Sequence, residues 1–216
     1  MILLAIQAAL SFASIVATLG QIDVLQRARD GAFVTMEEAQ ASDDRVRAIA
    51  LVTLGFLLAT VIVWLVWQHR GQRNLVRLGV RGLTFTPAWA VGWWFVPIAN
   101  LWKPFQAVRE LWRASRPDVD DSFWAGERTW AVIGWWWAVL LLSSFVGRVG
   151  IGVSQGATID DYIAGDRIDM VSDLMSACAA ALAIMVVRSI TGRQEQKIEA
   201  GPAVPPRPDI QKGWRP

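Results

Sequence analysis

Four apolar stretches decide what this chain is able to fold into. They lie at about 2–22, 46–67, 129–150 and 171–190, each near the roughly twenty residues that carry a helix across about 30 Å of hydrocarbon. Lipid offers no partner to a bare N–H or C=O, so a segment of that length crosses as a helix, whose backbone bonds close within it. The fourth stretch is the weakest. It holds only Leu174 to Val187 between Asp173 and Arg188, and it spans if those two charges reach the two interfaces. With 54% hydrophobic residues and a mean hydropathy of +0.34, the chain reads as an all-α polytopic membrane protein of four transmembrane helices. The first stretch has no positive residue ahead of it and is long for a cleavable signal, so it is taken as a span.

Charge gives the orientation. Arg70, Arg73, Arg77 and Arg81 follow the second span with no acid among them, and Arg188, Arg193 and Lys197 follow the fourth. The positive-inside rule puts both groups, and hence both termini, in the cytoplasm. The acid-rich connections at residues 23–45 and 160–169 then lie outside. By parity, the stretch between Arg81 and the third span enters and leaves on one face. That makes 87–102, PAWAVGWWFVPIANLW, a Trp-rich re-entrant or interfacial segment; its sixteen residues give about 24 Å of helix, short of the hydrocarbon thickness. A full crossing, giving five spans, is the alternative and would invert everything after it.

The chemistry of this segment fits partial burial. Thr86 caps a helix whose first position is Pro87, where a missing N–H costs nothing. Pro97 and polar Asn100 then break it, and the freed backbone groups need protein or water partners. From 104 to 115 an amphipathic helix puts Phe105, Val108, Leu111 and Trp112 on one face and Gln106, Arg109, Glu110 and Arg113 on the other, as expected of a helix in the cytoplasmic interface. Thirteen Trp against one Tyr point to much chain at headgroup level, where an indole buries its ring and keeps its N–H wet. Ala5, Ala9, Ala13 and Ala17 form a small-residue stripe suited to close helix packing, as do Ser172, Ser176 and Ala180. The Pro-rich stretch 201–216 lacks a packable face and is read as a disordered tail after one membrane-embedded domain, 1–200.

The run RNLVRLG, Arg73 to Gly79, followed by PAWAVGWWFVPIANLWKPFQAVRELWRAS, Pro87 to Ser115, resembles the bacterial membrane family known as domain of unknown function 4328. The resemblance marks Arg73, Asn74, Pro87, Trp89, Trp93, Trp94, Pro97, Asn100, Pro104, Glu110, Trp112 and Ser115 as characteristic positions. It implies a bacterial cytoplasmic-membrane protein and supplies no mechanism, since the family has no established activity.

Catalytic chemistry finds little to work with. GVSQG, Gly152 to Gly156, matches a nucleophile-elbow pattern, but the single histidine, His69, falls on the other side of the membrane, so the glycines read as the exit of the third span. Asp118, Asp120 and Asp121 lack the further spaced ligands of a calcium loop and read as a solvated turn. Cys178 stands alone, excluding an internal disulfide. No cofactor, metal or nucleic acid is implied, and the chain is not read as an enzyme. Arg148 and Asp173, near the outer ends of the last two spans, are a candidate intramembrane ion pair. Arg73 and Asn74 are expected to partner the Asn100 break. With Lys103 and Arg109 added, the family positions from Arg73 to Trp112 compose a candidate platform facing anionic headgroups, a protein partner or a second copy. Two functional classes follow: a scaffold or regulatory subunit presenting that platform, or a small transporter or channel component whose Pro97–Asn100 break lines a cavity.

Overall fold

The computed structural model describes residues 1–117, 124–156 and 158–200. The expected aspartate turn at 118–121 and the tail at 201–216 lie outside the described residues. Among the described residues six α-helices run in order: α1 (Ile2–Arg29), α2 (Met36–Arg77), α3 (Pro87–Gly92), α4 (Lys103–Ala114), α5 (Ala131–Val153) and α6 (Ile159–Ala200). Three 3₁₀ turns, Trp93–Phe95, Ala99–Leu101 and Trp124–Gly126, lie between them, and the described residues contain no strand. Four helices, α1, α2, α5 and α6, are long and apolar enough to cross a membrane.

These four pack as two hairpins, with α6 against both α1 and α5. The hairpin tips meet at one end, where Arg29 on α1 pairs with Asp160 on α6 at 3.1 Å. The described residues between 78 and 130 therefore belong to the opposite end, and the Trp-rich segment leaves the bundle and returns to it there. Two helices exceed their apolar windows. α2 and α6 each run 42 residues, and the stretch around Arg70 to Arg77, expected as a loop, forms the last turns of α2. Its charged residues favour helix as strongly as its apolar ones, but hydropathy does not register them.

The α5–α6 contact is made by small residues. The Ser172 hydroxyl donates to Ser143 O at 3.0 Å, Gly147 faces Ser172, Gly150 faces Asp169, and Gly165 lies against Ser154 and the Gly150 carbonyl. The alanine stripe of α1 behaves otherwise: Ala5, Ala9 and Ala13 are exposed and only Ala17 is buried. Ser11 and Thr18 occupy the buried seam instead.

Tryptophans fill the core at the capped end. Trp64, Trp67, Trp94, Trp136 and Trp137 form a connected ring cluster with centroids 4.9–6.3 Å apart. Headgroup-level placement accounts for fewer of them than composition suggested, because these indoles meet one another between helices.

Candidate functional site

Segment 78–115 is held on the bundle end by side chains from α2. Gln68 and Gln72 are one turn apart, so they share a face, and both are fully buried. Gln68 donates to Ala90 O at 3.1 Å and accepts from the Trp94 indole N–H at 2.8 Å. Gln72 donates to Phe85 O and to a Glu110 oxygen, each at 2.8 Å, which leaves its own carbonyl oxygen buried without a partner among the described residues. Glu110, expected on the polar outer face of α4, is 6% exposed. Its carboxylate accepts from Thr84 N at 2.7 Å, from Phe85 N at 3.0 Å and from Gln72. The loop entering α3 needs acceptors for these two backbone N–H groups, and Glu110 turns inward to supply them.

A second set of bonds joins α4 to α6. Gln194 donates to Gly71 O at 3.0 Å and to Ser115 Oγ at 3.2 Å, while Asn74 donates to Gln194 Oε1 at 3.4 Å. Gly71 permits this close approach, since a Cβ there would stand 3.1 Å from Leu111 Cδ2. Arg193 stacks on Trp112, 3.6 Å from the ring centroid. It also donates to Trp112 O at 3.2 Å and pairs with Glu127 at 3.3 Å. The Trp112 indole donates to Ser189 at 3.0 Å, and that of Trp137 to Leu101 O at 2.9 Å. Burial and the neighbouring Arg109 hold Arg113 below the ordinary guanidinium range, with Glu127 opposing.

The platform residues thus divide by role. Trp94, Pro104, Glu110, Trp112 and Ser115 face inward and fasten the segment. Thr86 accepts from Trp89 N at 3.3 Å with Pro87 at the helix start. Trp89 packs at a tilt against Trp93 with centroids 5.0 Å apart, and Lys103 lies over the rings of Phe85 and Trp93 at 5.9 and 5.5 Å. Arg109 lies over Phe105 at 5.6 Å. Arg73 is exposed and Asn74 bonds to Gln194, so neither partners Asn100 as expected. Nor do Arg148 and Asp173 pair. Arg148 is exposed on α5, whereas Asp173 faces Ser14 of α1. The helix spacing placed both charges at the right level but on different sides of α6.

The break itself is a strained turn. Ile98 has φ 67°, ψ −54°, and Ala99 N donates to Pro97 O at 2.7 Å across it, a γ-turn of the sign that β-branched residues avoid. Around it Trp89, Phe95, Ile98, Leu101 and Trp102 are all 44% exposed or more. Pro97 is exposed as well, so the break forms an outer surface. A cleft of about 80 Å³ lies elsewhere, lined by apolar residues of α1, α2 and α6 including Leu4, Val63, Trp64 and Val187. No group of three metal-ligating side chains occurs among the described residues.

Removing the Arg193 side chain by Arg193→Ala deletes a stacked cation and an ion pair at once. An expected loss of about 2 kcal/mol would appear as a lower melting temperature in detergent and faster proteolysis near Glu127. A change confined to solubility would refute this clamp.

A four-helix multi-pass fold capped at one end by a bonded Trp-rich segment is the class of protein defined here. The chain belongs to the family described as domain of unknown function (DUF4328), which matches residues 30–192. No curated protein and no solved structure matches it. Gln68, Gln72 and Gln194 were not legible as site residues, because uncharged polar side chains just beyond an apolar run look like loop. Their one sequence signal is the i, i+4 spacing of Gln68 and Gln72 on an otherwise apolar face.

Proposed function

We propose that the chain is a non-enzymatic membrane scaffold or regulatory subunit of the bacterial cytoplasmic membrane, with both termini in the cytoplasm. Its capped end presents a Trp- and Arg-rich platform to lipid or to a protein partner. One observation carries this reading: the buried Gln68–Gln72–Glu110 bonds fix segment 78–115 in place while Phe95, Ile98, Leu101 and Trp102 remain outward. Backbone strain persists where surrounding structure over-determines it, and at Ile98 the product of that strain is an apolar tip. Polar side chains at this end are engaged in closing the cap, which argues against a water-filled path through it.

The topology half of the reading is tested with single cysteines in a Cys178→Ser background. Arg77→Cys and Arg81→Cys are expected to react with an impermeant maleimide only after the cytoplasmic face is opened, and Ala32→Cys from outside intact cells. Reaction of Ala32→Cys and Arg81→Cys from one side would end it. The platform half is tested by a photo-cross-linker at Phe95 or Trp102 in native membranes. A discrete adduct is expected there and none from Phe145, which is 64% exposed on α5. Equal, diffuse labelling at both places would remove the platform.

A further inference from the structure

The apolar tip of the cap lies at the depth where the helices meet lipid, and that depth selects its partner. Leu101 O accepts from the Trp137 indole at 2.9 Å, and Trp137 is the seventh residue of α5, about 9 Å inside the helix start. Trp94 is bonded to Gln68, which directly follows the apolar run of α2. Segment 87–102 therefore reaches down beside the ends of two spans. At that level Val66 of α2 and Trp135 of α5 are exposed, as is Phe95 at the tip. Exposed apolar faces of spanning helices are covered by hydrocarbon, and the tip continues them.

Cations surround this tip and acids do not. Segment 78–115 carries Arg81, Lys103, Arg109 and Arg113 against one acid, Glu110, whose carboxylate is turned inward to the N–H groups of Thr84 and Phe85. Lys103 lies over the Trp93 ring at 5.5 Å. Arg109 lies over Phe105, and Phe105 stacks on Trp137, which holds Leu101. The two cations thus flank the tip, one beside Trp93 and one on the side of Leu101. No carboxylate pairs with either among the described residues. The indoles of Trp94, Trp112 and Trp137 have protein acceptors, whereas Trp89 and Trp102 are exposed, the placement an indole takes at headgroup level.

We propose that the tip is seated in the bilayer leaflet on the capped side, and that Lys103 and Arg109 hold the headgroup of an anionic phospholipid beside it. This rests on the platform reading and deepens it, naming lipid as what the platform meets. Phe95, Ile98, Leu101 and Trp102 supply the apolar contact, and the two cations supply the selection. A zwitterionic headgroup neutralises its phosphate within itself, whereas an anionic one leaves that charge to the protein. A soluble partner would have to displace lipid to reach Leu101 at this depth. The leaflet is already there.

The full-length chain in a Cys178→Ser background, carrying a nitrobenzoxadiazole fluorophore at Phe95→Cys, tests this in vesicles of phosphatidylcholine and phosphatidylglycerol in equal parts, with a nitroxide high on the acyl chain of one lipid or the other. Quenching is expected from both lipids and more strongly from phosphatidylglycerol. A label at Trp135→Cys, at the same depth on α5, is expected to be quenched alike by the two. Lys103→Gln is expected to lower the preference at Phe95→Cys about fivefold, the worth of one cation near the surface, and Lys103→Arg to keep it. No quenching at Phe95→Cys while Trp135→Cys is quenched overturns the proposal, and so does equal quenching at Phe95→Cys by the two lipids. The comparison of lipids with Lys103 intact decides the matter even if Lys103→Gln does not fold. Either overturning result leaves the platform to a protein partner; the platform itself falls only if cross-links from Phe95 and Phe145 are equal and diffuse.

Discussion

Replacing Glu110 by alanine is expected to detach the cap from the bundle. Three donors lose their acceptor at once: the N–H groups of Thr84 and Phe85 and the Gln72 amide. The Phe85 N–H and the Gln72 amide are buried and the Thr84 N–H is partly so, and an unsatisfied buried donor costs about 1–3 kcal/mol. Losses within one network are not additive, so a total of about 4 kcal/mol is expected, comparable to the whole stability of many domains. Glu110→Gln is the informative control. Its amide keeps one acceptor oxygen but turns an NH₂ group toward a donor, and an intermediate loss should follow. Melting temperature in detergent and cleavage within 78–86 are the readouts. Equal stability of all three proteins would show that the carboxylate does not hold the loop.

The second large effect is expected at Gly165. A Cβ there would overlap the Ser154 hydroxyl and come within 2.9 Å of Ser154 Cβ and 3.0 Å of Gly150 O. Serine can rotate away, but a backbone carbonyl moves only with its helix. Gly165→Ala is therefore expected to cost about 1–3 kcal/mol by overpacking, and Gly165→Leu to part the α5–α6 hairpin. Pairing the change with Ser154→Gly should recover only the part due to the side chain. A Gly165→Leu protein that melts with the wild type would show that α5 and α6 do not approach so closely.

These two positions illustrate what sequence makes readable in such a chain. The spans were legible because hydrocarbon sorts residues by polarity over twenty positions, and the start of α3 because Thr86–Pro87 has one good local use. The apolar face of α4 was legible too, with Val108, Leu111 and Trp112 buried together. Glu110 was not, since its burial answers to backbone donors at Thr84 and Phe85, which no helical periodicity reveals. Arg148 and Asp173 share a depth but not a side, and depth is the only coordinate that hydropathy measures. On α1 the every-fourth alanines offered a familiar packing pattern and pointed to the face opposite the buried Ser11 and Thr18.

The length of α6 has a mechanical meaning. As one unbroken helix of 42 residues, about 63 Å long, it carries Asp166 and Asp173 toward one extremity and Arg193 and Gln194 at the other. An axle of that kind cannot turn at one bearing and stay still at the other, so the Arg29–Asp160 contact and the seating of the tryptophan cap are two readings of a single shaft's position.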